Sequence, residues 1–352
     1  MRSKDHVLVT GGAGFIGSNL AERLAATGQR VMIYDSLARP GVEANLTRLK
    51  QLYPGRVSAT IADVRDHDAL GWVAEGARAV FHLAAQVAVT TSLEAPEEDF
   101  SINCHSTVKL LEALRKNGRQ TPLVFASTNK VYGDLGDVEV EVQGSAWRPM
   151  DEELAALGVD ENRPLDFHTP YGCSKGAADQ YVLDYARHLG VPACVFRMSC
   201  IYGPHQMGTE EQGWVAHFLR SALRDEEITL YGDGQQVRDI LHVNDVVSAY
   251  IAAWKAMPAV AGQAFNLGGG PDNAVSLIQI LCEIELMTGR TVHLRHGEWR
   301  AGDQRWFVAN AQKARRALAL KEPTPWREGL ADLAAWLGRE EALAESRMRI
   351  PA

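Results

Sequence analysis

A tyrosine and a lysine lie four residues apart in the segment Tyr171-Gly-Cys-Ser-Lys175. On a helix this spacing places one side chain above the other on the same face. A phenol with its ordinary pKa of about 10 is a poor base at neutral pH, but a nearby positive charge favours the phenolate. The pair is therefore a candidate for removing a proton from a hydroxyl group. Because such pairs also occur on ordinary helix surfaces, the interpretation depends on what accompanies them.

A third reactive side chain, Thr128, ends a predicted strand in the segment Phe-Ala-Ser-Thr-Asn-Lys-Val-Tyr-Gly, residues 125–133. The carboxyl edge of a parallel sheet is where doubly wound folds hold their ligands. The Thr128 hydroxyl can hydrogen-bond a reacting hydroxyl group and pass its proton towards Tyr171. Thr128, Tyr171 and Lys175 are therefore the predicted catalytic residues of an oxidation or reduction at an alcohol carbon.

An oxidation at an alcohol carbon needs a cofactor that accepts the hydride, and the amino-terminal segment predicts which cofactor this is. Val-Leu-Val-Thr runs directly into Gly-Gly-Ala-Gly-Phe-Ile-Gly, residues 11–17, and then into a helical pattern. A glycine motif between a strand and a helix is specific for a dinucleotide. Glycines permit the tight turn, the approach of the pyrophosphate and the packing of helix on strand, and the helix amino terminus attracts the anion. The predicted contacts are Gly11, Gly14, Phe15, Ile16 and Gly17.

Asp35 ends the second predicted strand, where a carboxylate accepts hydrogen bonds from a ribose and repels a 2′-phosphate. This favours NAD over NADP, although Arg39 lies nearby and weakens the preference. Asp63 ends the third strand and either binds the adenine amino group or is a plain surface carboxylate. The remaining predicted NAD contacts also follow strands: Val64, Leu83, Ala84 and Ala85.

Short apolar runs alternate with helical patterns through the first half of the chain. Strands are predicted at residues 6–10, 31–34, 58–61, 79–83, 123–127 and 193–198, with helices such as 15–26 and 106–117 between them. This alternation indicates an α/β fold with a doubly wound parallel sheet, the Rossmann architecture. Residues 1–198 and 236–267 are assigned to the NAD-binding domain, residues 199–235 and 268–340 to a smaller α/β substrate-binding cap, and residues 341–352 to a peripheral tail.

One long segment, residues 134–167, is acidic and shows little periodicity. An unstructured segment of this length inside a compact domain is usually functional or mobile. A lid over the active site is therefore one interpretation.

The overall composition limits the kinds of partner and ligand that the protein is expected to bind. The 352-residue chain carries 44 acidic and 36 basic residues, a formal charge of −8, which argues against a nucleic-acid partner. Its five cysteines form neither a CxxC nor a Cys/His metal spacing, and its 11 histidines suggest no metal site. The amino terminus runs into a strand without a signal peptide, and no apolar run approaches about 18 residues. We therefore expect a cytoplasmic protein without a membrane partner.

Together these motifs resemble the extended short-chain dehydrogenase/reductases of the NAD-dependent epimerase and dehydratase type. The resemblance covers nearly the whole chain and is carried by GGAGFIG, FHLAAQ, STNKVYGD, YGCSK, RMSCIYGP and VRDILHVND. More narrowly, the chain is similar to the CDP-paratose 2-epimerases, also called CDP-tyvelose 2-epimerases. The segments that carry this narrower similarity are residues 86–92, 127–134, 166–180, 212–215 and 303–305.

Asn129 and Lys130 bear on the reaction type. In the similar 4,6-dehydratases these positions carry Asp and Glu, an acid and a base that expel water from a 4-keto sugar. An amide cannot donate a proton as a carboxylic acid does, so a dehydratase is disfavoured. Oxidation followed by reduction remains, and the resemblance places it at C2 of a CDP-linked 3,6-dideoxyhexose. NAD would then stay bound, without net redox change.

The resemblance also implies where the nucleotide-diphosphate sugar binds. Arg238 matches the family's phosphate-binding arginine, and Arg305 is a second candidate because charge-assisted bidentate bonds suit a diphosphate. The other predicted substrate contacts are Gln86, Thr91, Ser92, Asn129, Lys130, His168 and Gln212.

Helices 106–117 and 174–187 resemble those that form a four-helix dimer interface, which predicts a homodimer or a homotetramer. Three other functions stay open at this point. They are a UDP-hexose or UDP-uronate 4-epimerase, a net dehydrogenase that consumes free NAD, and a catalytically silent dinucleotide-binding sensor.

Overall fold

A seven-stranded parallel sheet forms the larger part of the molecule. The computed structural model describes residues 5–300 and 302–348. The strands of this described chain are β1 (His6–Thr10), β2 (Val31–Asp35), β3 (Val57–Ile61), β4 (Ala77–His82), β5 (Leu123–Thr128), β6 (Val140–Gln143), β7 (Ala146–Pro149), β8 (Ala193–Met198), β9 (Cys200–Tyr202), β10 (Ile228–Tyr231), β11 (Val237–His242), β12 (Ala264–Leu267), β13 (Ala274–Ser276), β14 (Leu294–Gly297) and β15 (Trp306–Phe307).

Helices connect most of these strands. They are α1 (Phe15–Ala26), α2 (Val42–Leu52), α3 (His67–Glu75), α4 (Val89–Glu94), α5 (Pro96–Phe100), α6 (Ser106–Asn117), α7 (Glu152–Leu157), α8 (Thr169–His188), α9 (Trp214–Leu223), α10 (Val243–Lys255), α11 (Met257–Val260), α12 (Leu277–Thr288), α13 (Gln312–Leu318) and α14 (Trp326–Met348). Turns of 3-10 helix cover Asn129–Tyr132 and Pro271–Asn273, and a π-helical turn, Ser101–His105, leads into α6.

The large sheet has the strand order β3-β2-β1-β4-β5-β8-β12, and every neighbouring pair is parallel. Strands β1 and β5 are buried at every residue because helices cover both faces of the sheet. Helices α1, α2, α10 and α13 pack on one face, and α3, α6 and α8 pack on the other. The strand order reverses between β1 and β4, so a crevice opens at their carboxyl ends. This confirms the predicted doubly wound α/β fold.

The smaller lobe is built on a second sheet, in which β11 pairs with β13, β15 and β9. Helices α9, α12 and α14 bury apolar side chains against each other and against these strands. The assignment of residues 236–242 to the NAD-binding domain differs from this arrangement, because β11 pairs in the smaller sheet. Of the range 236–267, helix α10 and strand β12 pack with the large sheet.

Residues 134–167, whose sequence predicts little regular structure, are folded. Strands β6 and β7 pair antiparallel around a two-residue turn in which Gly144 has φ 64°. The Trp147 backbone N–H donates to the Gln235 carbonyl oxygen at 2.9 Å, and its indole Nε1 donates to Asp233 at 2.8 Å. The segment is therefore attached to the smaller lobe. It contributes no residue to the wall of the main cavity described below, which gives no support to a lid.

The end of the chain also differs from the expectation of a separate tail after residue 340. Helix α14 continues without interruption to Met348, and residues 349–352 lie outside the described residues. Within the described ranges, no helix combines the length and the apolar character needed to span a bilayer.

Candidate active site

A cavity of about 700 Å³ lies at the carboxyl ends of β1, β2, β4 and β5 and reaches the smaller lobe. Its wall combines the turn after β1, the segments that follow the other three strands, the start of α8 and the segment before α9. This is the crevice expected where the strand order of a doubly wound sheet reverses. Side chains from both lobes therefore face one space.

Helix α1 presents its amino terminus to this cavity. Gly14 caps the helix without a side-chain hydrogen bond, so the first N–H groups of the helix can serve an anion. Gly11 has φ 67°, and a Cβ there would lie 2.8 Å from the Ala84 amide nitrogen. A Cβ on Gly17 would lie 2.1 Å from the Gly11 carbonyl oxygen. The turn fits a dinucleotide diphosphate and leaves no room for a side chain at Gly11 or Gly17.

The Asp35 carboxylate is held at the cavity wall by two backbone donors. It accepts the N–H of Ala13 at 2.9 Å on one oxygen and the N–H of Leu37 at 2.9 Å on the other. Each carboxylate oxygen keeps a further lone pair for a ribose hydroxyl. Asp63 also lines the cavity, but it pairs with Arg65 at 2.7 Å, and that hydrogen bond lowers the pKa of Asp63.

Tyr171 lies in the first turn of α8 and lines the cavity. Burial raises the pKa of Tyr171 to about 12, and a hydrogen bond with the Thr128 side chain opposes this rise. The lowered phenol pKa expected from the sequence is therefore not a property of the protein alone. A cation bound beside the phenol has to supply it.

Lys175 lies one turn further along α8. Burial lowers the pKa of Lys175 to about 7, and the carboxylates of Asp179 and Asp99 partly restore it. The Lys175 Nζ lies 4.3 Å from the centroid of the Phe125 ring. The Lys175 amine thus lies over an aromatic face and interacts with two acidic side chains, one helical turn beyond the phenol that it is predicted to assist.

The turn that follows β5 is bonded to a loop of the smaller lobe. Lys130 Nζ donates to the Gly302 carbonyl oxygen at 3.0 Å, and the Asn129 amide donates to the Gln304 side-chain oxygen at 3.4 Å. Gln304 in turn donates to the Gly133 carbonyl oxygen at 2.6 Å. The loop 302–304 therefore holds the turn beside Thr128 in place.

The structure brings most of the predicted site residues to this one cavity. The predicted catalytic and NAD-binding residues all line it: Thr128, Tyr171, Lys175, Gly11, Gly14, Phe15, Ile16, Gly17, Asp35, Asp63, Val64, Leu83, Ala84 and Ala85. Five predicted substrate contacts line it as well: Gln86, Thr91, Asn129, Lys130 and Gln212. Their common location is a structural fact, and their individual roles stay predictions.

Two predicted substrate contacts, Ser92 and His168, are placed elsewhere. Ser92 is buried, donates to the Val89 carbonyl oxygen at 2.6 Å and accepts the Tyr171 N–H at 3.2 Å. It therefore positions the start of α8. His168 precedes α8 and lies 3.0 Å from the Asp166 carboxylate, away from the cavity wall.

The two predicted phosphate-binding arginines also lie outside the cavity wall. Arg238 is buried, and its guanidinium pairs with the Asp303 carboxylate. Arg305 is exposed, and its guanidinium carbon lies 4.8 Å from the centroid of the Trp147 ring. Each partner comes from a different element, which motif spacing cannot show.

The sequence reasoning missed a buried polar network beneath the catalytic residues. The Asn103 side chain donates to Asp99 at 3.1 Å and accepts the Gln86 N–H at 2.9 Å, and Ser174 donates to Asp99. Asn103 belongs to the π-helical turn, a distortion often found at functional sites. No motif or period in Ser-Ile-Asn-Cys-His predicts it.

The segment 203–213 of the smaller lobe, whose composition predicts only a loop, closes one side of the cavity. Glu211 lines the wall and accepts a hydrogen bond from Thr90 of the larger lobe. Arg300 donates to the Glu210 carbonyl oxygen at 3.1 Å and lies 3.9 Å from the centroid of the Tyr231 ring. The adjacent acidic residues Glu210 and Glu211 were the feature of the sequence that could have indicated a role for this loop, although their partner Arg300 is far away in the sequence.

Comparison with known proteins agrees with this geometry. The model of the NAD dependent epimerase/dehydratase family matches residues 7–268. The chain is 38% identical over 337 residues to the CDP-paratose 2-epimerase of Salmonella typhi, covering 94% of this chain and 98% of that protein. The NAD complex of Thermus thermophilus UDP-glucose 4-epimerase has a TM-score of 0.78 at 30% identity, covering 95% of this chain and 99% of that one. Thermotoga maritima UDP-glucose 4-epimerase with UDP-glucose has a TM-score of 0.79 at 28% identity and the same coverage, 95% and 99%.

The chain therefore belongs to the NAD-dependent epimerase/dehydratase family. It is an NAD-dependent sugar-nucleotide epimerase, an isomerase that acts on carbohydrates, and its cofactor is NAD. The predictions of family, cofactor and enzyme class are confirmed. The names of the relatives differ in the nucleotide and in the ring carbon that is inverted, so these two properties remain to be argued from the site.

Proposed function

We propose that this enzyme inverts C2 of a CDP-linked 3,6-dideoxyhexose and so interconverts CDP-paratose and CDP-tyvelose. Support comes from the 38% identity to the CDP-paratose 2-epimerase of Salmonella typhi over 94% of the chain. The observation that carries the chemistry is the common location of Thr128, Tyr171 and Lys175 on the wall of the cavity that the glycine turn and Asp35 also line. A hydroxyl group bound there would face a proton acceptor and a hydride acceptor together.

The roles of the protein groups follow from their positions. Bound NAD supplies a hydride acceptor that becomes a hydride donor when the reaction reverses. Thr128 holds the reacting hydroxyl, Tyr171 takes its proton, and the Lys175 ammonium favours the phenolate. After the ketone has presented its other face, Tyr171 returns the proton to the same oxygen. The two hydrogens removed from carbon and oxygen are thus restored, with no net oxidation.

The turn after β5 supports an epimerase over a dehydratase. Asn129 and Lys130 follow Thr128 on the cavity wall, and neither is a carboxylic acid. Elimination of water needs a proton donor and a base on the sugar. An amide provides neither, and the Lys130 amine is a different acid, with a different reach, from the glutamate of the 4,6-dehydratases.

A UDP-hexose 4-epimerase is the second candidate function, and UDP-uronate is a related substrate. It is supported by the likeness to Thermotoga maritima UDP-glucose 4-epimerase with UDP-glucose, at a TM-score of 0.79. Incubation of the holoenzyme with CDP-, UDP- and GDP-sugars, followed by NMR of the anomeric protons, separates the two. Conversion of CDP-paratose is expected. Conversion of UDP-glucose but of no CDP-sugar would overturn the C2 assignment.

Replacement of Tyr171 by Phe tests the chemistry directly. The variant keeps the ring but loses the proton acceptor, so we expect turnover to fall by about 10²- to 10⁴-fold while NAD stays bound. Turnover is measured by NMR, and bound NAD by the ultraviolet spectrum of the purified protein. Tyr181→Phe is the matched control, because Tyr181 lies on the same helix and is 48% exposed.

The same measurements decide between the remaining alternatives. A dinucleotide sensor would have no turnover to lose, and Tyr171→Phe would leave its behaviour unchanged. A net dehydrogenase would consume free NAD in proportion to product, whereas an epimerase purified with bound dinucleotide needs none added. The homodimer or homotetramer stays a prediction, to be measured by light scattering.

A further inference from the structure

A buried acid in the network beneath the catalytic residues has no part in the proposed mechanism. Asp99 is 1% exposed, and its carboxylate accepts hydrogen bonds from a hydroxyl and from two amides. The donors are the Ser174 hydroxyl, the Asn103 amide at 3.1 Å and the Gln86 amide at 3.2 Å. Among the described residues, none of the groups bonded to this carboxylate is a cation. Burial of a carboxylate without an ion pair is costly, so Asp99 needs a charge elsewhere that favours its ionised form.

Lys175 is the cation that interacts with this carboxylate. Burial raises the pKa of Asp99, and the Ser174 hydrogen bond and the Lys175 charge oppose the rise. Burial lowers the pKa of Lys175, and the Asp179 and Asp99 charges oppose the fall. Ser174, which donates to Asp99, directly precedes Lys175 on α8. The acid is therefore bonded to the same turn of α8 that carries the lysine.

Asp179, the other acid that interacts with Lys175, has a cation of its own. The Arg197 guanidinium donates to both Asp179 oxygens, each at 3.0 Å. A bidentate pair of opposite charges has a weak field outside the pair. His82 also interacts with Lys175, but burial and the lysine charge lower the pKa of His82 to about 3, so its imidazole is neutral. The charge of Asp99 is therefore the one left to balance the Lys175 ammonium.

We infer that Asp99 is a positioning residue for the catalytic pair and acts as the buried counter-ion of Lys175. Its bond from Ser174 fixes the turn of α8 between the phenol and the amine, and its charge keeps the lysine an ammonium. The Ser174 hydroxyl also lies 3.3 Å from the Tyr171 carbonyl oxygen, which ties both catalytic residues to the same contact. This inference rests on the proposed roles of Tyr171 and Lys175, and not on which sugar nucleotide is converted.

The Asp99 charge acts in the same direction on both catalytic pKa values. It raises the pKa of Lys175 against burial. It also adds to the rise that burial causes in the pKa of Tyr171, a rise that the Thr128 hydrogen bond and the Arg39 charge oppose. Turnover needs the ammonium and the phenolate together, so each limb of the pH profile follows one of these groups. Removal of the charge should move both limbs to lower pH, which a merely structural role would not do.

Asp99→Asn tests the inference, because it keeps the shape of the side chain and removes its charge. The Lys175 titration is followed in the holoenzyme by NMR of labelled lysine side chains, with Lys175→Met to identify the signal. We expect the pKa of Lys175 to fall by about 1 unit, since an opposite charge is lost. Turnover above about pH 7 should then fall by about 10-fold, because the wild-type amine already titrates at about that pH. Asp99→Glu keeps the charge and should retain most of the wild-type pKa.

Two further variants separate the charge from the packing. Asp99→Ser also lacks the charge but differs in size, so it should shift the Lys175 titration as Asp99→Asn does, even if one of the two folds poorly. Glu97→Gln is the matched control, because Glu97 is an exposed acid on the same helix, outside the cavity wall. It should change neither the titration nor turnover. Thermal unfolding and the ultraviolet spectrum of bound NAD report whether each variant is folded and loaded.

An unchanged Lys175 titration in Asp99→Asn and Asp99→Ser would overturn the inference, because the acid would then be neutral or without influence on the lysine. A loss of turnover in these variants with both limbs of the pH profile in their wild-type places would overturn it as well. The proposed function fails separately, since the titration needs no substrate. If the Lys175 titration shifts but no CDP-sugar is converted, Asp99 is the counter-ion in an enzyme that acts on another sugar nucleotide.

Discussion

Burial moves the two central side chains of the site towards their neutral forms. The pKa of Tyr171 rises to about 12 and that of Lys175 falls to about 7, and desolvation is the largest cause of both shifts. A neutral phenol is not a base, so the protein alone is poorly prepared for proton removal. The positive charge of oxidised NAD, bound beside the phenol, would oppose this shift. Cofactor binding would then prepare the base as well as supply the hydride acceptor.

The Asp35 carboxylate makes a specific prediction about cofactor choice. Asp35→Asn removes the charge that repels a 2′-phosphate while Arg39 remains on the same cavity wall. We expect NAD affinity to fall by about 10-fold and the preference for NAD over NADP to shrink by at least as much. Affinities are measured by titration of cofactor-free protein. The control is Asp184→Asn, which changes an exposed acid on α8 and should alter neither affinity. If Asp35→Asn left the preference for NAD over NADP unaltered, Asp35 would not belong to the ribose site.

The position of a single site residue could be predicted where a local sequence motif is enough to explain its role. Gly11, Gly14 and Gly17 of the first turn, and the pair Tyr171 and Lys175, are of this kind, and the structure places these five residues on the cavity wall. Arg238 is different, because Asp303 pairs with it from a position 65 residues away. Long-range partners of charged side chains have no signature in motif spacing, so the sequence could not show that this arginine pairs with Asp303.

At the scale of elements, the packing of α1 on β1 depends on a glycine contact. Gly17→Ala would put its Cβ 2.1 Å from the Gly11 carbonyl oxygen, a backbone atom that cannot turn aside. The helix has to move away from the turn, so we expect destabilisation of about 2–4 kcal/mol and loss of bound NAD. Thermal unfolding followed by circular dichroism, together with the ultraviolet spectrum, measures both.

Gly338 provides the comparison for that variant. It lies in helix α14, and a Cβ there meets no atom within 4 Å. Gly338→Ala should stabilise the protein by up to about 1 kcal/mol through helix propensity, with NAD content unchanged. If Gly17→Ala behaved like Gly338→Ala, the close contact of helix and turn would not limit this position.

Element boundaries in the large sheet were predicted well because both faces of its strands are covered. Strands buried on two sides read as continuous apolar runs, and β1 and β8 have the predicted bounds. The hairpin β6–β7 was missed, since each strand has only four residues, β6 is largely exposed, and neither strand shows a clear alternation of buried and exposed residues. Gly144, in the turn between the two strands, was the residue from which the hairpin could have been predicted. The pairing of β9 with β11, in the smaller sheet, depends on tertiary contacts that the sequence pattern does not express.

At the scale of the whole molecule, residues 134–167 join the two lobes. The Val159 N–H donates to the Val308 carbonyl oxygen at 2.8 Å, and the Asn266 side chain of β12 donates to the Val159 carbonyl oxygen at 2.8 Å. The segment thus bonds to β12 of the large sheet and to the residue that follows β15 of the smaller sheet, with its hairpin on the smaller lobe. It acts as a brace between the lobes, away from the cavity wall.

The variant Trp147→Ala tests whether residues 134–167 hold the two lobes together or form a lid over the active site. The change removes the indole bond to Asp233 and the ring beneath Arg305, so we expect a loss of stability of about 1–3 kcal/mol. Turnover at low temperature and NAD content should remain within about twofold of wild type. Chemical denaturation and the NMR assay measure these quantities. A variant of unchanged stability but strongly reduced turnover would restore the lid interpretation.

The chain leaves the large sheet after β8, builds part of the smaller lobe, returns to supply β12 at the sheet edge and then completes the smaller lobe. Neither lobe can therefore be obtained by cutting the chain once. A fragment that stops at residue 198 lacks α10 and β12, whose apolar side chains complete one face of the core. A hybrid that takes its sugar-binding part from a relative must therefore receive at least two segments of that relative's chain. We expect the substrate range of such a hybrid and the stability of its NAD-binding part to change together.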